Sequence, residues 1–172
     1  LGWLTMTSQS DIFSLIDAQK EIVDYWNSRR QSGAVPLRGD LDPGALRAHL
    51  HCISILELDG QGGATFRLMG TQLRNLIGAD MRGYHVDDLP DEYASIWRMG
   101  GGLPLPETCR PDQGVTDLGE GHHAWLRLPL RQMASDEAPS MVLCHDILRR
   151  KKTRISRPVF SLHPLASRAV AA

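Results

Sequence analysis

The chain has 172 residues, 42% of them hydrophobic, which is enough for a single domain with a real core and argues against a disordered chain. A formal net charge of −1 gives no global attraction to nucleic acid or to an anionic membrane. Cys52, Cys109 and Cys144 are too widely spaced for a disulfide framework or a zinc site and fit a reducing cytoplasm, and no apolar run reaches the ~18 residues of a membrane span.

Residues 1–10 lack the basic start and apolar centre of a secretory signal. They read as a disordered or non-native start, with residues 1–5 as a mis-called one. Residues 11–34 form the N-terminal helical segment. Ile12, Phe13, Leu15, Ile16, Ile22, Val23, Tyr25 and Trp26 recur at helical spacing over residues 11–30, and Gly33 follows as a stop. That stripe packs on the chain's own sheet or forms a dimer seam, for which Ile22 and Trp26 are the candidates. The domain proper spans residues 35–148. Pro36 stiffens a turn in which Asp40 or Asp42 can cap a short helix over residues 44–50, with Pro43 at its first position. Arg38 can pair with either carboxylate.

Residues 51–58 alternate as a strand, with Ile53, Ile55 and Glu57 on one face and Cys52, Ser54, Leu56 and Leu58 on the other. A Gly-rich hairpin leads to a returning strand over residues 64–69, which places Phe66 and Leu68 on one face and Arg67 on the other, where it can reach the Asp40 or Asp42 turn. Gly70 turns the chain and Thr71 caps a helix through Ile77, closed by Gly78. Gly78 and Gly83 bracket the next turn. A short turn at residues 86–89 and a helix over residues 90–99 follow. Residues 100–106 break regular structure. Residues 107–117 are ambiguous, with part readable as a strand. Residues 122–130 and 140–148 alternate as two further strands, and residues 149–172 read as a basic, then apolar tail.

This order predicts an α+β fold: an antiparallel five-stranded sheet with helices inserted between strands 2 and 3, behind an N-terminal amphipathic helix. Three local words, the P-x-R-x-D-x-D-P turn (Pro36, Arg38, Asp40, Asp42, Pro43), the F-R-x-x-G-T strand end (Phe66, Arg67, Gly70, Thr71) and the G-x-D-x-x-G turn (Gly78, Asp80, Gly83), resemble a PAS-like family of small bacterial proteins. The resemblance covers residues 25–147 and includes Trp26. It departs mildly at Ala79, where the family usually has a basic residue. It implies a sensor or binding module in signal transduction, with no particular ligand.

Sites of chemistry are few. His122, His123, Cys144 and His145 lie on two strands expected to be neighbours, but adjacent strand residues face opposite ways, so no metal site is expected; His122 and Cys144 are the pair on which one could be built. Haem ligation by His85, His122 or His145 is no better supported, and no cofactor is assigned. Cys109, in a loop with Arg110, reads as inert. No nucleophile elbow or phosphate loop is present, and no enzyme is read. The basic tail lacks aromatic interleaving, so no nucleic-acid partner is read. The reading is a cytoplasmic sensory or regulatory module. A small apolar ligand would sit between the sheet and the inserted helices, lined by Phe66, Leu68, Leu73, Ile77, Trp97, Leu126, Leu128 and Leu143, although a filled core predicts the same residues. The signal would leave through the N-terminal helix to a second copy or a regulatory protein. The alternative is a ligand-free protein–protein adaptor.

Overall fold

A computed structural model describes residues 9–98, 109–119 and 121–150. The expected start at residues 1–5, the break at residues 100–106 and most of the tail lie outside them. Helix α1 (Gln9–Ser28) leads into a long irregular segment, then strands β1 (Ile53–Leu58) and β2 (Ala64–Met69), helices α2 (Thr71–Ile77) and α3 (Asp91–Arg98), and strands β3 (Asp112–Asp117), β4 (Gly121–Leu130) and β5 (Met141–Arg150). The five strands form one antiparallel sheet in the order β2-β1-β5-β4-β3. The expected α+β architecture, with helices between the second and third strands, is therefore present.

Period-two alternation gives the sheet two apolar faces, and each is covered. On one, Ile53, Ile55, Leu126, Leu128, Leu130 and Leu143 pack against Ile22 and Trp26 of α1 and against Val35, Leu41 and Leu46. On the other, Leu56, Phe66, Met69 and Val142 pack against Leu73 of α2 and Ala94, Ile96 and Trp97 of α3. Ile22 and Trp26 are each 1% exposed, so they are spent on the chain's own sheet. Burying two such side chains contributes about 1.5–3 kcal/mol each, and the Trp26 indole also donates to the Pro129 carbonyl (3.0 Å).

Several local expectations change. Residues 44–50 form a chain of tight turns rather than an α-helix, with Leu46 N–H donating to the Pro43 carbonyl and His49 N–H to that of Leu46. Asp42 still accepts from the Gly44 amide (2.8 Å), and Asp40 from the Leu37 amide (3.1 Å). The stretch is fastened to the sheet by Arg131, at the end of β4. The Arg131 backbone pairs with Pro36 and Arg38, and its guanidinium donates to the Val35 carbonyl (2.9 Å). Arg38 contributes its backbone to this bridge. On the α1 side, the Tyr25 hydroxyl accepts from the Asp42 amide (2.7 Å).

The register of β1 with β2 shifts between Ile55 and Leu56, so Leu68 lies opposite Ile55 and Phe66 opposite Leu56. A β-bulge of this kind adds one residue and flips everything beyond it. Phe66 and Leu68 therefore face opposite sides, and Arg67, at the bulge, pairs with Glu57 instead of the Asp40–Asp42 turn. At the entry to α2, Thr71 is exposed and makes no cap; Gly70 holds the N-cap position without a side-chain bond. A Cβ on Gly70 would stand 2.5 Å from the Leu50 and His51 carbonyls, so the close approach of the backbone selects glycine there. Gly78, at φ 81°, ends α2 in the left-handed region, its N–H donating to the Arg74 carbonyl (2.8 Å), as expected of a helix stop.

Candidate functional site

The β4–β5 pair carries the unusual chemistry. Its register sets Trp125 opposite Asp146 and Arg127 opposite Cys144. The face of β4 that points toward α3 therefore presents His123 and Arg127 on either side of Asp146. Both converge on one carboxylate oxygen: His123 Nε2 lies 2.7 Å and an Arg127 terminal nitrogen 2.9 Å from Asp146 Oδ1. Arg127 also donates to the Leu126 carbonyl (2.9 Å) and to the Ile96 carbonyl of α3 (3.0 Å). Arg127 and Asp146 are fully buried and His123 is 3% exposed. Burial by itself would drive the Asp146 carboxyl upward. The Arg127 charge, with hydrogen bonds from His123 and Arg127, overcomes it and holds the group below the usual carboxylate range.

Beside this network, the Trp97 indole donates to Ser54 Oγ (3.2 Å) and meets Phe66 edge-on at 4.8 Å between ring centroids. Cys144, opposite Ser54, is pushed up to about 12 by burial and is held as the inert thiol. Phe66, Leu73 and Trp97 are all fully buried, and Ile77 packs beside them. These four stand between the sheet and the inserted helices as a close-packed layer. Leu126, Leu128 and Leu143 lie on the other face against α1, with Leu68 packed at that cluster's edge. The eight expected lining residues are thus divided four and four between the two faces of the sheet.

The opposite face of β5 presents His145. It forms a wall of a cleft of about 360 Å³ with Ala18 of α1, His49, His51 and Cys52 of the preceding turn, Gln72 of α2, and Ile147 and Arg149. His145 and His49 meet edge-on at 5.7 Å between centroids, and His49 Nε2 lies 3.2 Å from Glu21 on α1. The Cys52 thiol donates to Gln72 Oε1 (2.8 Å) and is pushed up to about 11, chiefly by burial. Burial is the main cause that brings His145 down to about 4; Asp146 opposes it, and the neighbouring His49, His51 and Arg127 add to it. It is a neutral imidazole near neutral pH.

The metal and haem candidates do not come together. His122 lies opposite Arg149 and Cys144 opposite Arg127, five registers apart and on opposite faces. His85 sits at the sheet's other edge, 3.2 Å from Asp59. Among the described residues, no three His, Cys, Asp or Glu side chains are placed to share a metal ion. Sequence reasoning missed Arg127 and Asp146, although each is a charge at an inward position of an apolar strand. That pattern signals a buried ion pair once the two strands are set side by side.

Residues 16–95 match the family model of a PAS domain. The match runs from α1 into α3, and the sheet completed by β3–β5 gives the PAS-like fold beyond it. No curated protein and no solved structure matches the chain. PAS domains are generally sensory or regulatory rather than catalytic, and the match supports a module of that general kind. None of the helices among the described residues is long and apolar enough to cross a membrane.

Proposed function

We propose that this PAS-like protein is a regulatory relay in the cytoplasm that passes its signal through α1 to a protein partner, either a second copy or a regulatory protein. The observation that carries this reading is the way α1 is held. Among its described side chains Gln19, Ile22 and Trp26 are buried, Val23 and Tyr25 pack at the edge of the same cluster, and Trp26 Nε1 donates to the Pro129 carbonyl of β4. A helix docked by one apolar face, outside the strand ladders, can open locally while the sheet remains folded. The other face favours the relay over an apolar ligand, because Phe66, Leu73 and Trp97 fill the layer beneath the inserted helices. A catalytic reading of the His123–Asp146 pair is disfavoured by burial, since no more than 4% of either side chain is exposed to a substrate.

Hydrogen exchange on the full chain tests the relay. Amides of α1 are expected to exchange at least about tenfold faster than those of β4 and β5. Trp26→Phe is expected to widen that gap, leaving the strands unchanged. Exchange of α1 at the rate of β4 and β5 would make it a fixed part of the core and end the proposal. Light scattering separates the two partners, and native mass spectrometry checks for a retained apolar molecule, whose presence would restore the ligand reading.

A further inference from the structure

We propose that the cleft between α1 and the C-terminal half of β5 binds a small organic anion, a carboxylate or a phosphate ester with a short apolar body. The cleft of about 360 Å³ falls within the roughly 300–1,000 Å³ of small-molecule sites. Its wall contains a buried polar group awaiting a partner. His145 is 1% exposed and its Nδ1 makes no hydrogen bond, a state native interiors avoid unless water or a ligand meets the group. The choice of an anion follows from the remaining lining. Arg149 supplies a fixed positive charge, His49 and His51 add imidazoles, and no carboxylate among the described residues lines the cleft. Glu21, whose side chain is 76% exposed, is engaged with His49, and the Asp146 carboxylate behind His145 is taken up by Arg127 and His123. The Cys52 thiol occupies the Gln72 amide oxygen, leaving the amide NH2 as the polar group that Gln72 can offer. Donors therefore outnumber acceptors. Ala18 and Ile147 supply an apolar wall, so a ligand with a hydrocarbon body fits better than a bare ion. A bound cation would face Arg149 with no carboxylate among the described lining residues to offset it.

This inference is independent of how α1 relays a signal, because binding is read directly. The full chain is titrated with hexanoate in one arm and inorganic phosphate in the other, following the His145 ring signals by NMR and the heat by calorimetry. The expected result is a saturable movement of the His145 signals in at least one arm, and the responding arm names the anion class. Arg149→Ala, a change at an exposed side chain, is expected to weaken binding by roughly tenfold, the ratio set by about one charge-assisted contact. Ala18→Glu, which keeps a good helix former and puts a carboxylate at the cleft, is expected to abolish it. His145 signals that do not move in either arm, or that move equally in the wild type and both variants, would overturn the proposal.

Discussion

Asp146→Asn is the substitution that tests most of the physical argument. Wild-type Asp146 neutralises Arg127 at a position where neither residue touches solvent, and both Arg127 and His123 donate to its Oδ1. The amide keeps the size and one acceptor but leaves a buried guanidinium without a counter-charge. Breaking a buried pair in this way costs about 3–5 kcal/mol, a large share of the roughly 5–15 kcal/mol that holds a domain together. With a urea slope of about 2 kcal/mol/M, the unfolding midpoint should fall by about 2 M. The double variant Arg127→Met/Asp146→Leu removes both charges and should recover most of that loss, because an apolar pair of similar volume avoids the desolvation of two ions. The pair also predicts a pH dependence. Asp146 titrates lower in the folded chain than in the unfolded one, so its stabilisation is complete above the ordinary carboxylate pKa of about 3.9 and is lost as pH falls through the depressed folded value. Urea unfolding followed by tryptophan fluorescence measures all three proteins. A midpoint loss under about 0.5 M for Asp146→Asn, at unchanged slope, would refute the claim that the buried pair is a mutually dependent unit.

Other outcomes are expected from the same structure. His145 has a folded pKa of about 4 against about 6.5 unfolded. Its contribution, on the order of 3 kcal/mol, is therefore full above pH 6.5 and is lost as pH falls toward 4; His145→Gln should flatten the urea midpoint between pH 7 and pH 5 relative to the wild type, and an unchanged slope would contradict it. Gly70→Ala, whose methyl would meet the Leu50 and His51 carbonyls at 2.5 Å, should lower stability by about 1–3 kcal/mol in the same assay. Arg67→Ala removes an exposed pair with Glu57 and should cost under about 1 kcal/mol; a larger loss would point to the tether to the Asp40–Asp42 turn. In native protein a thiol reagent should label the exposed Cys109 within minutes and spare the buried Cys52 and Cys144 until urea is added, as mass spectrometry of the labelled chain will report.

The regular elements were legible because their periodicity is local. The alternation over residues 122–130 and 140–148 places β4 and β5 to within two residues, and in the structure Leu126, Leu128 and Leu143 share one face while Arg127 and Cys144 share the other. What failed to follow was pairing. Leu126 and Phe66 both belong to strand faces, but whether those are the same side of the sheet depends on the β1–β2 bulge, which a run of six residues does not reveal. The acidic turn was legible as a turn, since Asp40 and Asp42 cap amides two or three residues away. Its fastener was not, because Arg131 is about ninety residues further along the chain. The buried network was hidden for the same reason: Arg127 and Asp146 each look like a lone charge until the register brings them together.

Once paired, β5 links the two faces of the sheet in successive residues. His145 points into the cleft beside α1, and Asp146 points into the network under α3. The peptide between them lies inside two ladders, with His145 opposite Ile53 on one side and Leu126 on the other, so neither side chain can shift far without disturbing both strands. Electrostatics couples them as well. Asp146 favours the imidazolium form of His145, and Arg127 opposes it. An anion beside His145 would add to the Asp146 effect and draw the imidazole toward its charged form, and the resulting field would act on the buried pair only one residue away. Through the Arg127 bond to the Ile96 carbonyl, that pair holds α3. A continuous set of contacts from the α1 face to the inserted helices therefore runs through the 145–146 dipeptide.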